Sequence, residues 1–435
     1  MRSPLAVVLT AVLCAIMPAP AAEAAPDVPG DQPLPGYTID NPPLAPAVVR
    51  GEPSRVHQGV HRHAAFDIEV PPRWNGDLVM WAHGYRGDTR VLTVDEPSYG
   101  LRQRLLEQGY AWAASSYYAN GYDVRAGVLS TRALVERFAD TVGRPRRTYI
   151  AGVSMGGHVT ARSVEQYPGL YAAALPMCGV LGDHELFDFF LDFHLVAQDL
   201  ADVPAYPIPE DYATSAVPLI KERLGLGGAA GRQFRAIVVN LSGGERPGAE
   251  AAFAYWQDFL FGLAGPDTGG PLAQEPGRVA SNRGTFYRPA TPVNVNVSVR
   301  RVDPVDPVAR WTRRLSEVAG ISGRIGSPVL SLHNLGDNFV PFSMEQYYRA
   351  DVAAQGRSGL LVQRAIRAAG HCEFSPAEAG AAWDDLVRWQ RTGKRPAGDD
   401  VTRPATLADP VYGCRFTDAS AHATGTRPLY APCPT

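Results

Sequence analysis

The stretch that decides the fold is Arg147-Thr-Tyr-Ile-Ala-Gly-Val-Ser-Met-Gly-Gly157. Residues 148–151 include Thr, Tyr and Ile, which favour a β-strand. The next five residues match the pattern G-x-S-x-G, and residues 157–167 predict a helix. A strand, a sharp turn and a helix in this order form a nucleophile elbow. We therefore expect Ser154 to stand exposed at the end of a sheet strand.

The chemistry expected of this turn explains its glycines. A serine hydroxyl is a weak nucleophile until a base removes its proton, so it must stand clear of the sheet. Cβ atoms two residues before or after it would collide with the tight turn. The first amides of the following helix point at the serine, where they stabilise a negatively charged oxygen. The alternative is a chance match in a chain with 43 glycines, and the flanking strand and helix argue against it.

The composition sets only broad limits. The chain has 435 residues, 45% of them hydrophobic and 20% charged, enough for one large domain with an insertion or for two domains. The net charge is −3 and no basic stripe is visible, so we expect no nucleic-acid partner. His57, His61 and His63 are spaced like metal ligands, but no carboxylates accompany them, and we expect a surface loop there. We expect no metal and no cofactor.

The N-terminal residues have the pattern of a secretory signal. Arg2 is followed by an apolar run at residues 5–17 and then by small residues that include Ala22-Glu-Ala24. We expect a signal peptide at residues 1–24, a mature chain that begins near Ala25, and a secreted protein. A membrane anchor is the alternative, but the apolar run is too short, and no other stretch approaches a membrane span.

Four cysteines remain in the predicted mature chain, an even number that suggests two disulfides in a secreted protein. Four cysteines allow three pairings. We favour Cys414–Cys433, which would staple an otherwise weakly structured tail, and this leaves Cys178–Cys372. Two buried free thiols at Cys178 and Cys372 are the alternative.

Apolar and amphipathic runs alternate along much of the chain, which indicates an α/β fold with a mostly parallel central sheet flanked by helices. The alternation breaks after Gly182 and resumes near residue 328, and the segment between holds helical patterns rich in aromatic residues. We call residues 183–320 the inserted segment and expect it to be a mainly helical cap or lid. The predicted organisation is a signal at 1–24, an extended arm at 25–50, core at 51–182 and 321–395 around the insertion, and a C-terminal tail at 396–435.

This order of parts resembles the α/β-hydrolase superfamily over roughly residues 60–180 and 325–395, as in secreted serine esterases, lipases and prolyl-oligopeptidase-like hydrolases. In that superfamily an acid and then a histidine follow the serine. The resemblance implies Asp337 as the acid, in Gly336-Asp-x-x-Val340-Pro341, and His371 as the base, in Ala369-Gly-His-Cys372. Asp303 and Asp306 are rivals for the acid, and Asp337 could instead cap the next helix.

The resemblance also implies an oxyanion hole made of two backbone N–H groups. One is that of Met155, directly after the serine. The other would be that of Tyr85, since His83-Gly84-Tyr85 is similar to the superfamily's His-Gly motif after an apolar strand. Gly84 would let the backbone approach closely, and His83 would brace the loop rather than transfer protons.

One further resemblance is partial. Esterases of the tannase and feruloyl type also carry a cysteine directly after the catalytic histidine, but its partner directly precedes their nucleophile, and here Val153 stands there. The sequence therefore does not place the chain in that group. A bridge between Cys178 and Cys372 would instead pin the histidine loop beside the site.

The resemblance implies a serine hydrolase that cleaves a small-molecule or polymeric ester through an acyl-enzyme. A peptidase acting on short peptides and a binding protein without catalysis are the alternatives. The sequence leaves the oligomeric state open. The inserted segment's aromatic residues could line an acyl or aryl pocket, although at helical spacing they more often form a core: Phe187, Phe189, Phe190, Phe193, Tyr255, Trp256, Phe259 and Phe261.

Overall fold

The computed structural model describes residues 30–225, 227–263, 276–292, 294–312 and 314–434. The predicted signal peptide at residues 1–24 lies outside this part of the chain. The sheet strands are β1 Arg55–His61, β2 Ala64–Val70, β3 Asp77–Ala82, β4 Ala111–Ser115, β5 Arg147–Val153, β6 Tyr171–Met177, β7 Val329–Asn334 and β8 Leu361–Ile366.

Helices occupy much of the remaining chain. They are α1 Leu101–Glu107, α2 Val124–Thr141, α3 Met155–Gln166, α4 Glu185–Ala201, α5 Tyr212–Leu224, α6 Ala229–Leu241, α7 Ala249–Gly262, α8 Val295–Ser298, α9 Pro307–Trp311, α10 Ser343–Ala354, α11 Pro376–Thr392 and α12 Pro404–Leu407. In the part of the chain that the structure covers, no helix combines the length and the apolar character needed to cross a lipid bilayer.

The central sheet has the order β1-β2-β4-β3-β5-β6-β7-β8. Strand β2 pairs antiparallel with both of its neighbours, and the other pairings are parallel. Helices cover both faces of the sheet. Successive side chains of each strand point to opposite faces, so every strand contributes to both cores. In β3, Leu78 and Met80 pack in the core on the α2 and α3 side, while Val79 and Trp81 pack with α1 and α11. The predicted fold class is confirmed.

The first strand corrects one expectation. His57 and His61 lie on β1 rather than in a surface loop, and only His63 belongs to the turn that follows. Strand β1 pairs with β2 over its whole length, from Arg55 opposite Val70 to His61 opposite Ala64. Its residues are half-buried or exposed without regular alternation, because it is an edge strand, and so the apolar periodicity that predicts a strand is missing.

The inserted segment is mainly helical. Its aromatic-rich helical patterns correspond to α4 and α7. Of the eight aromatic residues singled out above, six are buried, while Tyr255 and Phe259 are 51% and 42% exposed. Some of the six pack against residues outside the segment: Phe187 contacts Tyr122, and Phe190 contacts Phe339.

The C-terminal tail is better packed than expected. Val401, Leu407, Tyr412 and Tyr430 are buried in one cluster with residues of the core and of α7. Both favoured disulfides are formed, Cys178–Cys372 and Cys414–Cys433. The tail's regular elements are short, and its packing depends on contacts with distant residues that no local pattern reveals.

Candidate active site

Ser154 lies at the turn between β5 and α3, with φ 56° and ψ −122°. Residues other than glycine rarely adopt this backbone conformation. The neighbouring glycines make the turn possible. A Cβ on Gly152 would lie 2.7 Å from the Ala82 carbonyl oxygen, and one on Gly156 would overlap that oxygen and lie 2.5 Å from the His83 oxygen. Strand β3 therefore packs against the elbow so closely that only glycine fits at both positions.

Three predicted residues come together at the carboxyl end of the sheet. The Nε2 atom of His371 lies 2.8 Å from the Oγ atom of Ser154, and the Nδ1 atom of His371 lies 2.6 Å from the Oδ2 atom of Asp337. Asp337 follows β7 and is fully buried, while His371 lies in the loop after β8. The three side chains form a continuous hydrogen-bonded chain, and we refer to them as the candidate triad.

Asp337 has a second set of partners. Its Oδ1 atom accepts hydrogen bonds from the backbone N–H groups of Phe339 and Val340, at 3.0 and 2.9 Å. The alternative that Asp337 caps the next helix is not met, because α10 begins at Ser343 without a side-chain cap and the two amides lie in the turn before it. Each carboxylate oxygen of Asp337 has its own partners. The two amides fix the carboxylate plane and leave Oδ2 directed at the imidazole.

The rival carboxylates lie elsewhere. Asp303 is exposed and forms an ion pair with Arg283. Asp306 accepts a hydrogen bond from the N–H group of Ala309 and caps α9. Neither residue joins the candidate triad.

The predicted oxyanion loop borders the serine. A Cβ on Gly84 would lie 3.1 Å from the Cβ of Ser154, so the backbone of this loop approaches the elbow closely. The ring of buried His83 stacks on Tyr117 at 3.9 Å, its Nδ1 atom lies 2.7 Å from the Gly84 oxygen, and the Tyr117 hydroxyl donates to the His83 oxygen. Burial lowers the pKa of His83, which favours a neutral ring that braces the loop. The backbone N–H of Tyr85 follows in this loop, while its side-chain hydroxyl donates to Asp88.

We call residues 369–373 the His loop, and several residues that the sequence did not single out hold it. The Tyr99 hydroxyl donates to the Cys372 oxygen at 2.8 Å, and the indole N–H of Trp256 donates to the Ala369 oxygen at 2.6 Å. Asn334 donates its amide to the Glu373 oxygen at 2.9 Å and accepts the Glu373 N–H. No local pattern predicts these contacts, because each joins residues far apart in the chain.

The disulfide Cys178–Cys372 lies against the candidate triad. The Sγ atom of Cys372 is 3.3 Å from the Nε2 atom of His371. Cys178 follows directly on β6, whose Met177 is the registered neighbour of Val153 in β5. The bridge therefore reaches the His loop from the strand beside the one that carries the nucleophile.

Four aromatic residues, Phe190, Trp256, Phe259 and Phe339, form what we call the aromatic cluster. The Phe339 ring meets the His371 ring edge to face, with centroids 5.0 Å apart. Phe259 lies 4.9 Å from Phe339, and the rings of Phe190 and Trp256 lie 6.2 and 6.3 Å from it. Residues of the inserted segment thus extend an apolar surface from the histidine.

The sequence matches one protein-family model and one characterised relative. Residues 23–210, less than half of the chain, match the model of a tannase-like family of unknown function (DUF6351). The chain is also 22% identical over 448 residues to an o-phthalyl amidase of Xanthobacter agilis, a match that covers 82% of this chain and 95% of that protein.

Solved structures give more distant matches. Feruloyl esterase B from Aspergillus oryzae is 13% identical, with a TM-score of 0.42 over 77% of this chain and 79% of that one. Pyrococcus horikoshii acylaminoacyl peptidase is 13% identical, with a TM-score of 0.40 over 80% of this chain. The chain spans less than half of that peptidase, 43% of its length.

The assignment rests on the molecule's own architecture together with the sequence matches. The mostly parallel sheet flanked by helices and the elbow between β5 and α3 are those expected from the superfamily that the sequence resembles. The matched relatives are described as tannase-like and as an amidase. The chain has the α/β-hydrolase fold.

Proposed function

We propose that the protein is a secreted serine hydrolase that cleaves carboxylic esters through an acyl-enzyme on Ser154. The observation that carries this proposal is the hydrogen-bonded chain from the Ser154 hydroxyl through His371 to the buried carboxylate of Asp337. An imidazole between a hydroxyl and a carboxylate can remove the hydroxyl proton and hold the resulting positive charge.

The reaction follows from this geometry. The Ser154 oxygen attacks the substrate carbonyl carbon while His371 takes its proton, and Asp337 stabilises the imidazolium. The N–H groups of Met155 and Tyr85 stabilise the oxyanion, and each such donor contributes on the order of 3 kcal/mol. His371 returns the proton to the departing alkoxide, which leaves as an alcohol. Water, activated by the same histidine, then attacks the acyl-enzyme and releases the acid and free Ser154.

The aromatic cluster favours a substrate that carries an aromatic or bulky apolar group. Phe339 contacts His371, and Phe259 beside it is 42% exposed, so the cluster offers an accessible face next to the reacting atoms. Aromatic rings pack on one another with energies of about 0.5–1.5 kcal/mol beyond area burial. We propose that the inserted segment, residues 183–320, is a cap that supplies this face.

Secretion belongs to the same proposal. Two disulfides join cysteines 194 and 19 residues apart, and such bonds persist in oxidising compartments. They support the predicted signal peptide, whose residues lie outside the described part of the chain.

An amide substrate is the second candidate. The relative matched over most of both chains is described as an o-phthalyl amidase, and the same triad chemistry cleaves amides. An amine leaves less readily than an alkoxide, so amide cleavage places a larger demand on His371 as the acid. We propose aryl amides as the amide substrates to test, beside short peptides.

The test has two parts. A fluorophosphonate probe should label the wild-type protein and not the Ser154→Ala variant, and a wild-type protein that stays unlabelled would contradict the serine mechanism. Matched p-nitrophenyl benzoate, benzoyl p-nitroanilide and aminoacyl p-nitroanilides then separate the bond types. Faster turnover of the ester supports esterase activity, and turnover of an anilide alone would replace it with amidase or peptidase activity.

A further inference from the structure

We propose that the C-terminal tail is a positioning element for the proposed base, and that Thr426 is the residue through which it acts on His371. The inference rests on the proposed function, since it assigns a role in that same site. It concerns a part of the chain that lies beyond the last helix of the hydrolase core.

The tail first covers the open edge of the sheet. Strand β8 is the last strand, and its outer edge faces the tail. The N–H of Asp399 donates to the Gln363 oxygen at 2.7 Å, and the N–H of Ala365 donates to the Asp399 carboxylate at 2.8 Å. The strand that leads into the His loop is therefore paired with the tail on its free side.

The tail is then held in shape by a buried arginine. The guanidinium of Arg367, in the turn after β8, donates to the backbone oxygens of Pro410, Tyr412 and Ala431. The Cys414–Cys433 disulfide closes the same stretch. The tail thus folds around the residue that begins the approach to the His loop.

Contact with the His loop is made at Thr426. Its Oγ1 atom accepts hydrogen bonds from the N–H groups of Ala369 and Gly370, at 2.6 and 2.8 Å. The same hydroxyl donates to the Glu373 carboxylate at 2.6 Å, and the Thr426 N–H also donates to it. One threonine therefore ties both ends of the five-residue loop that presents His371.

Arg427, the residue after Thr426, anchors this part of the tail to the hydrolase core. Its guanidinium forms two 2.8 Å hydrogen bonds with the carboxylate of Glu378, in the first turn of α11, and both side chains are almost completely buried. It also donates to the Glu373 oxygen at 3.2 Å. A bidentate pair of this kind fixes orientation as well as distance. The pair thereby fixes the backbone position of the residue next to Thr426.

Tyr430 extends the contact to the other triad loop. Its hydroxyl donates to the Ala368 oxygen at 3.1 Å, and a Cβ on Gly336, directly before Asp337, would overlap that hydroxyl. The tail therefore touches the loops of both the proposed base and the proposed acid. A displacement of about 1 Å between reacting groups can cost about 100-fold in rate, so such contacts can control activity without touching the substrate.

The experiment compares Thr426→Val with Thr426→Ser and with the matched control Thr424→Val. Thr424 lies in the same tail, is exposed, and donates its hydroxyl only to the Ala421 oxygen among the contacts described. The measurements are kcat and KM for p-nitrophenyl esters and the rate of fluorophosphonate labelling, well below the unfolding temperature of each variant.

We expect Thr426→Val to lower kcat and the labelling rate about 10- to 100-fold with KM changed less than about twofold. Thr426→Ser should restore most of the rate, because it keeps the hydroxyl, and Thr424→Val should match the wild type. A folded Thr426→Val with wild-type kcat, or with a change in KM alone, overturns the inference.

Should Thr426→Val not fold, Tyr430→Phe decides the question. It keeps the buried ring and removes only the hydroxyl that faces Ala368, and we expect kcat to fall about threefold, whereas an unchanged kcat overturns the inference. Failure of the proposed function is distinguishable, because the wild-type protein would then resist the probe. A wild type that is labelled, with variants labelled equally fast, removes only the role of the tail.

Discussion

The elbow and the His loop belong to one candidate site but are built in opposite ways. The elbow is a continuous strand, turn and helix. The Ser154 N–H donates to the Met177 oxygen at 3.0 Å, and the Ser154 oxygen accepts from the N–H groups of Gly157 and His158. The position of the serine thus depends on its own neighbours and on the adjacent strand.

The His loop has no regular secondary structure of its own. Its partners come from distant parts of the chain: Tyr99 is 273 residues from Cys372, Trp256 is 113 residues from Ala369, and Thr426 is 57 residues beyond it. A disulfide from Cys178 adds a further support. The position of the histidine is therefore a property of the whole molecule.

This difference predicts different responses to mutation. The elbow depends on a few positions where no other residue fits, so a single change there should abolish activity. The His loop has several independent supports, so the loss of one should lower activity in proportion to what that support restrains. The supports also connect activity to the inserted segment and to the tail.

The largest effect is expected from Gly156→Ala. The new Cβ would overlap the Ala82 carbonyl oxygen, a backbone atom that cannot move without displacing β3. Overpacking of this kind costs about 1–3 kcal/mol and sometimes more, and here the strain falls directly on Ser154. We expect fluorophosphonate labelling to fall below about 1% of the wild-type rate.

The matched control is Gly359→Ala, because a Cβ there meets nothing within 4 Å and its φ is not in the left-handed region. It should label like the wild type. A Gly156→Ala protein that is labelled at the normal rate would show that the elbow tolerates displacement, and would remove the contrast between the two regions.

The same contrast explains what the sequence predicts. Short stretches of sequence predict the elbow, the strands with apolar runs, and the segments that carry the serine, the aspartate and the histidine. The structure places Ser154, Asp337 and His371 in one hydrogen-bonded chain. Both favoured disulfides also form.

The remainder depends on contacts between distant residues. Edge strand β1 lacks an apolar face, so its partner β2 defines it, and the sequence around His57 and His61 reads as a loop. The order of the tail depends on Arg367 and Glu378, which lie outside it. Single-sequence periodicity carries no information on such pairs.

An intermediate effect is expected when Cys178 and Cys372 are both replaced by Ser. The bridge closes a loop of 194 residues, and the chain-entropy relation gives about 5 kcal/mol for such a span. We expect the free energy of unfolding to fall by up to that amount, and kcat to fall about tenfold, because the His loop loses one support and keeps the others. Denaturant unfolding and ester turnover measure the two effects.

The comparison for this variant is the Cys414→Ser, Cys433→Ser pair, whose bridge spans only 19 residues and lies in the tail. The same relation gives about 3 kcal/mol for it. Turnover by the Cys178, Cys372 variant at the wild-type rate would mean that the bridge stabilises the fold without restraining the histidine.

The smallest effect on activity is expected from a titrating group of the inserted segment, which acts on stability. Burial raises the pKa of Asp192 in α4 to about 8, and the nearby charge of Asp188 adds to the rise, while Tyr287 and Thr285 donate hydrogen bonds that oppose it. Between about pH 4 and 8 the unfolded chain releases this proton and the folded protein keeps it. The free energy of unfolding should therefore fall as pH rises through this range, by at most about 1.4 kcal/mol per pH unit, and level off above it.

Asp192→Asn tests this dependence, since the amide keeps the shape and stays neutral. Thermal unfolding of the variant should depend less on pH between 5 and 8 than that of the wild type. Hydrogen exchange at pH 8.5 then relates the effect to the two regions: α4 should exchange faster in the wild type than in the variant, whereas α3, which follows the elbow, should not differ. Equal acceleration in α3 would mean that the elbow unfolds together with the inserted segment. The structure of the elbow would then depend on distant parts of the chain, as that of the His loop does.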